Sequence, residues 1–288
     1  MEKYYQFSGI GLAVELPRDR MYEDDMQLAP FRREWAEDAH RYHVSVVDQL
    51  ELPAWKETAR VPGAWIYETE GGYIRCAGSV SSDVSYAHIR TEHRGKEHWI
   101  TVAQRMVSGQ ISPRLVLNAL DVEHLVSQSG GVILHASYID WEGRGILFTA
   151  PCGTGKSTQA ELWKTYRNAD IINGDRAVVI PRDGQIWAGG LPFSGSSQYC
   201  KDRTIPLAAI VYLKQAPATT IRPLSGLEAF RKIWEGCCVN KWNRRDMETA
   251  MNLLEQVMRR VPVLELACTP DESAVIALEQ QLRKDLKA

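Results

Sequence analysis

Ala150-Pro151-Cys152-Gly153-Thr154-Gly155-Lys156-Ser157-Thr158 decides how the second half of this chain is read. Gly153 and Gly155 free the backbone to turn its N–H groups toward anionic oxygens. Lys156 brings a point charge to the β- and γ-phosphates, and Ser157 offers a hydroxyl to Mg²⁺. The flanks fit this reading. Gly145-Ile146-Leu147-Phe148-Thr149 is a short buried-strand pattern, and Gln159-Ala160-Glu161-Leu162-Trp163 is good helix-forming sequence. Strand, loop and helix N-terminus together aim orphan N–H groups and the positive end of a helix dipole at phosphate. Pro151, Cys152, Gly153, Thr154, Gly155, Lys156, Ser157 and Thr158 are therefore the expected nucleotide-contacting residues. The first glycine of the strict pattern is replaced by Ala150, which needs a negative φ there.

The chain has 288 residues, 44% hydrophobic and 24% charged, enough for one large or two modest globular domains. A net charge of −2 and a pI near 6.4 supply no general field for a polyanion, so no nucleic-acid partner is expected. The six cysteines (Cys76, Cys152, Cys200, Cys237, Cys238 and Cys268) show no paired metal spacing, and the adjacent Cys237 and Cys238 cannot easily share one tetrahedral site. A thiol inside a phosphate loop argues for reduced cysteines and a cytoplasmic location. The start, Met1-Glu2-Lys3-Tyr4-Tyr5, lacks a signal-peptide apolar core. No run approaches about 18 apolar residues, so no membrane association is expected.

Residues 1 to about 112 read as strands with turn punctuation: 5–16, 43–50, 64–70, 73–78, 84–91 and 98–103 are rich in aromatic and β-branched residues. Gly71-Gly72 signals a hairpin, whereas 18–37 is acidic, polar and poorly defined. This part, with no nucleotide or metal motif, is expected to be a β-rich recognition or scaffold domain. Ser112-Pro113 opens a helical pattern carried by Leu115, Leu117, Leu120, Val122, Leu125 and Val126, and Ser129-Gly130-Gly131 ends it. A connecting helix over 113–130 thus leads into a nucleotide-binding domain over 131–288. There strands are expected at 132–139, 145–149, 170–173, 177–180, 185–188, 207–213, 220–222 and 261–266, and helices at 157–166, from Ser225 through Gly236, and at 244–260. Thr269-Pro270-Asp271-Glu272 supplies a cap, a first-turn proline and a capping-box acid for a last helix.

Phosphoryl transfer also needs a metal site, charge stabilisation and a group that orients or deprotonates the acceptor. Asp175 is the best carboxylate, since it follows a short strand where an acid would face the phosphate loop; the competing role is a turn former in Asn173-Gly174-Asp175. Arg176 is either a phosphate contact or a solvated arginine. His135 lies in the strand pattern Val132-Ile133-Leu134-His135-Ala136-Ser137, as a site member or a hydrogen-bonded core histidine. The loop 189–197 either approaches substrate or simply connects two strands. Lys201, Asp202 and Arg203 either supply charge or form a solvated patch. Lys241, Arg244 and Arg245 read as the solvated start of a helix, and Trp163, Trp234 and Trp242 as core or interface residues.

Taken in order, Leu134-His135-Ala136-Ser137, Gly145-Ile146-Leu147, the phosphate loop and Asn173-Gly174-Asp175-Arg176-Ala177-Val178 resemble the catalytic domain of HPr kinase/phosphorylase over roughly residues 121 to 288. Pro192-Phe193-Ser194-Gly195, Pro206-Leu207-Ala208-Ala209-Ile210 and Pro262-Val263 are similar to stretches of shorter HPr-kinase-like bacterial proteins, some encoded beside ribosomally made peptide natural products. The resemblance implies an α/β, mixed-sheet kinase domain of the phosphoenolpyruvate carboxykinase-like kind, preceded here by the β-rich domain. It implies a cytoplasmic, Mg²⁺-dependent enzyme that uses ATP or another nucleoside triphosphate. The γ-phosphoryl group would pass to a serine-type hydroxyl on a small protein or peptide. Catalytic roles fall to Asp175, Lys156 and His135, and metal binding to Ser157 and Asp175. Where the family has a pair of aspartates, Gly174 stands in the first position and only Asp175 remains. The signatures for binding HPr itself are not recognisable. A small-molecule kinase, for example for free serine, and a non-catalytic nucleotide-dependent peptide binder stay open, as does a homo-oligomer.

Overall fold

Ser8 (φ 53°) and Gly9 (φ 84°) fold the first apolar run back on itself. A turn with two positive φ values matches the twist of flanking strands. It joins β1 (Glu2–Phe7) to β2 (Ile10–Glu15) as an antiparallel hairpin, where the sequence predicts one strand over 5–16. The computed structural model describes residues 1–78, 84–93, 95–107, 110–195 and 197–285. These divide into two compact units, Met1–Leu125 and Val126–Ala288.

In the first unit a short 3-10 turn at Ala29–Phe31 precedes β3 (Arg32–Arg33), so the polar stretch 18–37 carries little regular structure. Then come β4 (His40–Val47), β5 (Glu57–Val61), β6 (Ala64–Glu68), β7 (Gly72–Gly78), β8 (Ser85–Glu92) and β9 (Glu97–Ala103). They form one nine-stranded sheet in the order β3-β1-β2-β4-β9-β8-β7-β6-β5. β4 runs parallel to both β2 and β9, and the other pairs are antiparallel. The edge strand β5 has mostly exposed residues, so it lacks the apolar alternation that marks its neighbours. After β9 the chain enters α1 (Pro113–Ala119) and α2 (Val122–Gln128). The sequence predicts one helix here. Asp121, at φ 49°, breaks it, and its carboxylate accepts a hydrogen bond from the buried Tyr73 hydroxyl at 2.7 Å.

The second unit contains β10 (Val132–Trp141), β11 (Arg144–Thr149), α3 (Lys156–Arg167), β12 (Asp170–Asn173), β13 (Arg176–Arg182), β14 (Gln185–Gly189), β15 (Thr204–Gln215), β16 (Thr220–Pro223), α4 (Gly226–Gly236), β17 (Cys237–Cys238), α5 (Arg244–Arg260), β18 (Val263–Cys268) and α6 (Glu272–Asp285). The protein is thus a mixed α/β structure. Two long strands organise this unit by changing partners along their length. β10 pairs with β13 and β17 through its first half and with β11 and β12 through its second. β15 pairs antiparallel with β14 at its start, then parallel with β11 and β18.

Alternation along β10 separates two cores. Val132, Leu134, Ala136 and Tyr138 pack with Ala229 and Ile233 of α4 and Leu253, Leu254 and Val257 of α5. Ile139 and Trp141 pack with Ala160 and Trp163 of α3 and Val275, Leu278 and Leu282 of α6. Trp163, fully buried, meets Trp141 edge-on at 5.2 Å and fixes α3 against the sheet. Asn243 caps α5 by accepting from the Arg245 and Asp246 amides. At α6 the expected start moves by two residues. Asp271 accepts from the Ser273 amide at 2.8 Å, while Thr269 and Pro270 lie ahead of the helix. Among the described residues no helix is long and apolar enough to cross a membrane.

Inside the first unit, His40 and His98 are buried face to face, with His40 Nδ1 3.0 Å from His98 Nε2 and the Tyr42 ring stacked on His98 at 4.5 Å. One ring nitrogen donates and the other accepts, which suits two neutral imidazoles. Burial pushes His40 down to about 4 and His98 down to about 3. The unfolded chain, with ordinary histidines near 6.5, therefore binds protons that the folded chain refuses. Stability should be level above about pH 7 and fall as pH drops from about 6.5 toward 4, by about 1.4 kcal/mol per pH unit for each histidine. Urea midpoints across this range test it, and His40→Gln should make the slope shallower by about one histidine's share.

Candidate functional site

Asn173 ends β12 with an amide group that has no access to solvent. Its Oδ1 accepts from the Asp175 and Arg176 amides at 2.9 and 3.0 Å, a local turn that the residue type favours. Its Nδ2 donates to the Leu191 and Phe193 carbonyls at 3.0 and 2.8 Å. One side chain thereby fixes both the 174–176 turn and the loop after β14. The turn is also held from β10: Ser137 Oγ donates to Gly174 O at 3.0 Å, and the Ala136 amide to Asp175 O at 2.9 Å.

This pairing brings His135 to Asp175. His135 Nδ1 lies 3.4 Å from Asp175 Oδ1, while Arg176 Nε lies 3.2 Å from Asp175 Oδ2. The Arg176 guanidinium sits over the Phe193 ring at 5.8 Å. Thr149, at the end of β11, donates to the His135 carbonyl at 3.0 Å and ties this cluster to the strand that feeds the phosphate loop.

Gly155 is the N-cap of α3 with φ 113° and ψ 22°, a conformation open to glycine and strained for other residues. The helix begins at Lys156 with no side-chain cap, so its first N–H groups face the loop unclaimed by a capping side chain. Ala150 is buried in the core beside α3 and is not among the positive-φ residues, so the missing first glycine costs no strain. Lys156 is 8% exposed, and its Nζ donates to Ala150 O at 3.0 Å and Pro151 O at 3.4 Å. Burial lowers its pKa, against the opposing pull of Cys152 and Asp175. Burial also lowers that of His135, followed by the nearby Lys156 charge and opposed by Asp175. Both groups thus feel Asp175 electrostatically, and His135 is neutral at pH 7.

Among the described residues two cavities flank the glycine loop at 150–158. One, of about 380 Å³, is lined by Ser157, Ala160, Glu161, Ile171, Gly174 and Ser197 among others. The other, of about 540 Å³, runs along Gly153–Gly155, Thr158 and Gln159 to the ends of β15 and β18. A cavity of similar size lies in the first unit, around Glu2, Glu15, Arg18, Arg41 and His43, far in sequence from any phosphate motif.

Among the other candidates, Gly190 to Gly195 close over the turn; a side chain on Gly195 would lie 2.8 Å from the Asp175 carboxyl carbon. Ser196 lies outside the described residues. Lys201 pairs with Asp170, and Arg203 with Asp140 at 2.5 Å, so both serve strand ends rather than the turn. Arg244 pairs with Glu248 one turn along α5. Trp234 stacks on Phe230 at 5.8 Å at the margin of the core. All six cysteines are free, including the exposed Cys152.

Two residues escaped the sequence reading as site members: Asn173 and Gln159. Asn173 had a signal, a lone amide closing an apolar strand before a turn. Ser197 closes the 189–197 loop that the sequence offers as an approach to substrate or a plain connection. Its hydroxyl occupies the space beside Gly174, where a Cβ would stand 2.2 Å from Ser197 Oγ.

Replacing Asn173 by Ala removes the partner of the Asp175 and Arg176 amides and of the Phe193 carbonyl, while the Leu191 carbonyl keeps the Phe193 amide; each group left short costs about 1–3 kcal/mol, less where water reaches it. Asn173→Ala should lower stability by about 2–4 kcal/mol and speed hydrogen exchange at the Asp175 and Arg176 amides. Asn173→Asp retains the acceptor, so those two amides should stay protected. Exchange measured by NMR separates the two variants.

One solved structure that resembles this chain is the Hpr(Ser) kinase/phosphatase from Coxiella burnetii, at 13% identity and a TM-score of 0.34, covering 54% of this chain and 99% of that one. No curated protein matches significantly. The family described as SynChlorMet cassette protein ScmC matches residues 113–272. That span runs from α1 to the start of α6 and takes in the phosphate loop, the Asn173 turn and both flanking cavities. Because it covers more than half of the sequence, the chain belongs to the SynChlorMet cassette protein ScmC family.

Proposed function

We propose that this protein is an ATP-dependent phosphotransferase that passes the γ-phosphoryl group to a serine-type hydroxyl on a peptide or small protein. The observation that carries this reading is the convergence of Lys156, His135 and Asp175, from three different elements, beside a glycine loop at a helix N-terminus. The order of sequence motifs that resembles HPr kinase/phosphorylase supports it further. Membership of a family described as a cassette protein supports an acceptor encoded by a neighbouring gene. By the same motif resemblance the second unit is read as a kinase domain; the first, β-rich and without a nucleotide or metal motif, is read as the part that helps present the acceptor.

The chemistry assigned to each residue follows from its surroundings. The loop amides and Lys156 bind and orient the phosphates, and a bound polyphosphate would draw Nζ from its two carbonyl partners. Asp175 takes the acceptor's proton; Arg176 Nε holds one of its oxygens by a hydrogen bond, and the His135 ring lies beside the other. Ser157 is the residue that would hold Mg²⁺, together with phosphate oxygens. Mg²⁺ keeps several waters and usually takes only one or two protein ligands, so Ser157 and phosphate oxygens suffice for it. When bound, that ion supplies charge neutralisation on the phosphates. Asp175 is assigned the base role because Ser157 and phosphate oxygens can supply the anchors of the ion.

A nucleotide-dependent peptide binder is the second reading. It is favoured by Gly174, which leaves a single carboxylate at this turn, and by Ser197, which fills the space.

The test is incubation with ATP and Mg²⁺ together with cassette-encoded peptides, HPr and free serine, read by mass spectrometry for an added phosphoryl group. Nucleotide binding without any transfer would favour the binder. For a kinase, Lys156→Ala should remain folded by circular dichroism and lose several orders of magnitude in rate. Asp175→Asn should slow single turnover by about 10²–10⁴-fold with nucleotide affinity nearly unchanged. A joint fall in Mg²⁺-dependent affinity would make Asp175 a metal ligand instead. Calorimetric affinity for a non-hydrolysable ATP analogue should weaken strongly on adding EDTA.

A further inference from the structure

Gln159 lies one helical turn beyond Lys156 on α3 and is 3% exposed. Its backbone amide is satisfied by Gly155 O at 2.9 Å. Its side-chain Nε2 is buried and has no hydrogen-bond partner among the described residues. An amide donor left so costs about 1–3 kcal/mol, and apolar side chains of similar size would fill the same place without that cost. The residue lines the cavity of about 540 Å³, whose other walls include Thr158, Lys214, Cys268 and Thr269. That volume lies within the range of small-molecule sites, about 300–1,000 Å³. The Gln215 side chain reaches back to the Gly153 and Thr154 carbonyls at 3.5 Å and links the cavity's far wall to the loop.

The position of this cavity says which part of a ligand it takes. Ser157, Gly174 and Ser197 line the opposite cavity, on the side of the Asp175 turn. The larger cavity shares the glycines of the phosphate loop but contains none of Ser157, His135 or Asp175. A polyphosphate laid along the loop with its terminal group toward Asp175 directs its other end into the larger cavity.

We propose that this cavity holds the nucleoside portion of the triphosphate and that the Gln159 side-chain amide, whose Nε2 is enclosed in this structure, turns toward the cavity to donate a hydrogen bond to a nucleoside acceptor, which makes Gln159 a specificity residue. The proposal rests on the phosphate-loop reading given above and adds to it a residue, a place and a ligand fragment.

The test compares two probes on the whole protein: a non-hydrolysable ATP analogue and inorganic tripolyphosphate, which has the charge and no nucleoside. Gln159→Met keeps the approximate shape and removes the donor. It should weaken the analogue by about 3- to 10-fold, the worth of one neutral hydrogen bond, while tripolyphosphate affinity stays within twofold. The melting temperature without ligand should hold or rise, since an unsatisfied group has been removed. In the wild-type protein the analogue should slow alkylation of Cys268, on the same cavity wall, and tripolyphosphate should not. Equal weakening of both probes, no weakening of either, or Cys268 protected by both or by neither overturns the inference alone. A wild-type protein that binds neither probe overturns the phosphate-loop reading itself.

Discussion

The side-chain amide of Asn173 is the interaction on which this site depends. It spends both lone-pair and donor capacity on backbone groups of two separate segments, the 174–176 turn and the loop at Leu191–Phe193. The group is wholly buried, so each bond works in a low local dielectric and competes with no water. The turn is closed on its other side by the Ala136 amide and the Ser137 hydroxyl of β10. His135 belongs to that same strand, one residue from Ala136. Its approach to Asp175 therefore follows from a main-chain pairing rather than from a chance meeting of two surface side chains.

Charge completes the arrangement. Lys156 and Arg176 are cations, Asp175 is an anion, and the lowered pKa of His135 leaves its ring neutral at pH 7. Lys156 has only carbonyl partners on the loop, and burial has already removed much of its hydration. An ammonium held in this way has more to gain from a bound anion than one paired with a carboxylate. The helix start behind it adds orphan N–H groups of the same sign. The loop side is thus positive, while on the Asp175 side Arg176 donates to one carboxylate oxygen and the neutral His135 ring lies 3.4 Å from the other.

Much of this was legible in the sequence, and the misses have physical causes. The β/α alternation of residues 132–268 is marked by apolar runs and turn dipeptides, and the strands and helices fall where those marks place them. Asp183-Gly184 and Glu142-Gly143 both take the positive φ values that their residue types suggest. Local pattern failed where a tertiary contact decided the outcome. Asp121 breaks a continuous helical periodicity because its carboxylate is claimed by Tyr73, distant in sequence. Ser8-Gly9 was hidden inside an apolar run because a two-residue turn needs only two residues. β17, two residues long, pairs with β10 through Ile133 and Leu134 and has no periodicity to read. At the site, Lys156 and Ser157 announce themselves by spacing. Gln159 does not, because its significance lies in which cavity it lines, and Ser197 is legible only as the end of a candidate loop.

The space beside Gly174 shows how such a site differs from the pattern it resembles. Loss of a carboxylate from a paired arrangement would leave a hole if nothing else moved. Here the hole is closed, because Ser197 occupies it and a Cβ on Gly174 would collide with the Ser197 side chain at 2.2 and 2.3 Å. The 197 segment is in turn fixed by its own backbone: the Ser197 amide donates to Ser194 O at 2.9 Å, and Ser197 Oγ accepts from the Tyr199 amide. Gly174 and Ser197 are thus one coupled feature, and restoring a side chain at 174 requires the other segment to shift. The cavity that Ser157 also lines carries the hydroxyls of Ser157, Ser197 and Tyr199 and the carboxylate of Glu161. Gly174 adds no charge to that wall, and the neutral Ser197 hydroxyl that fills the space beside it adds none either.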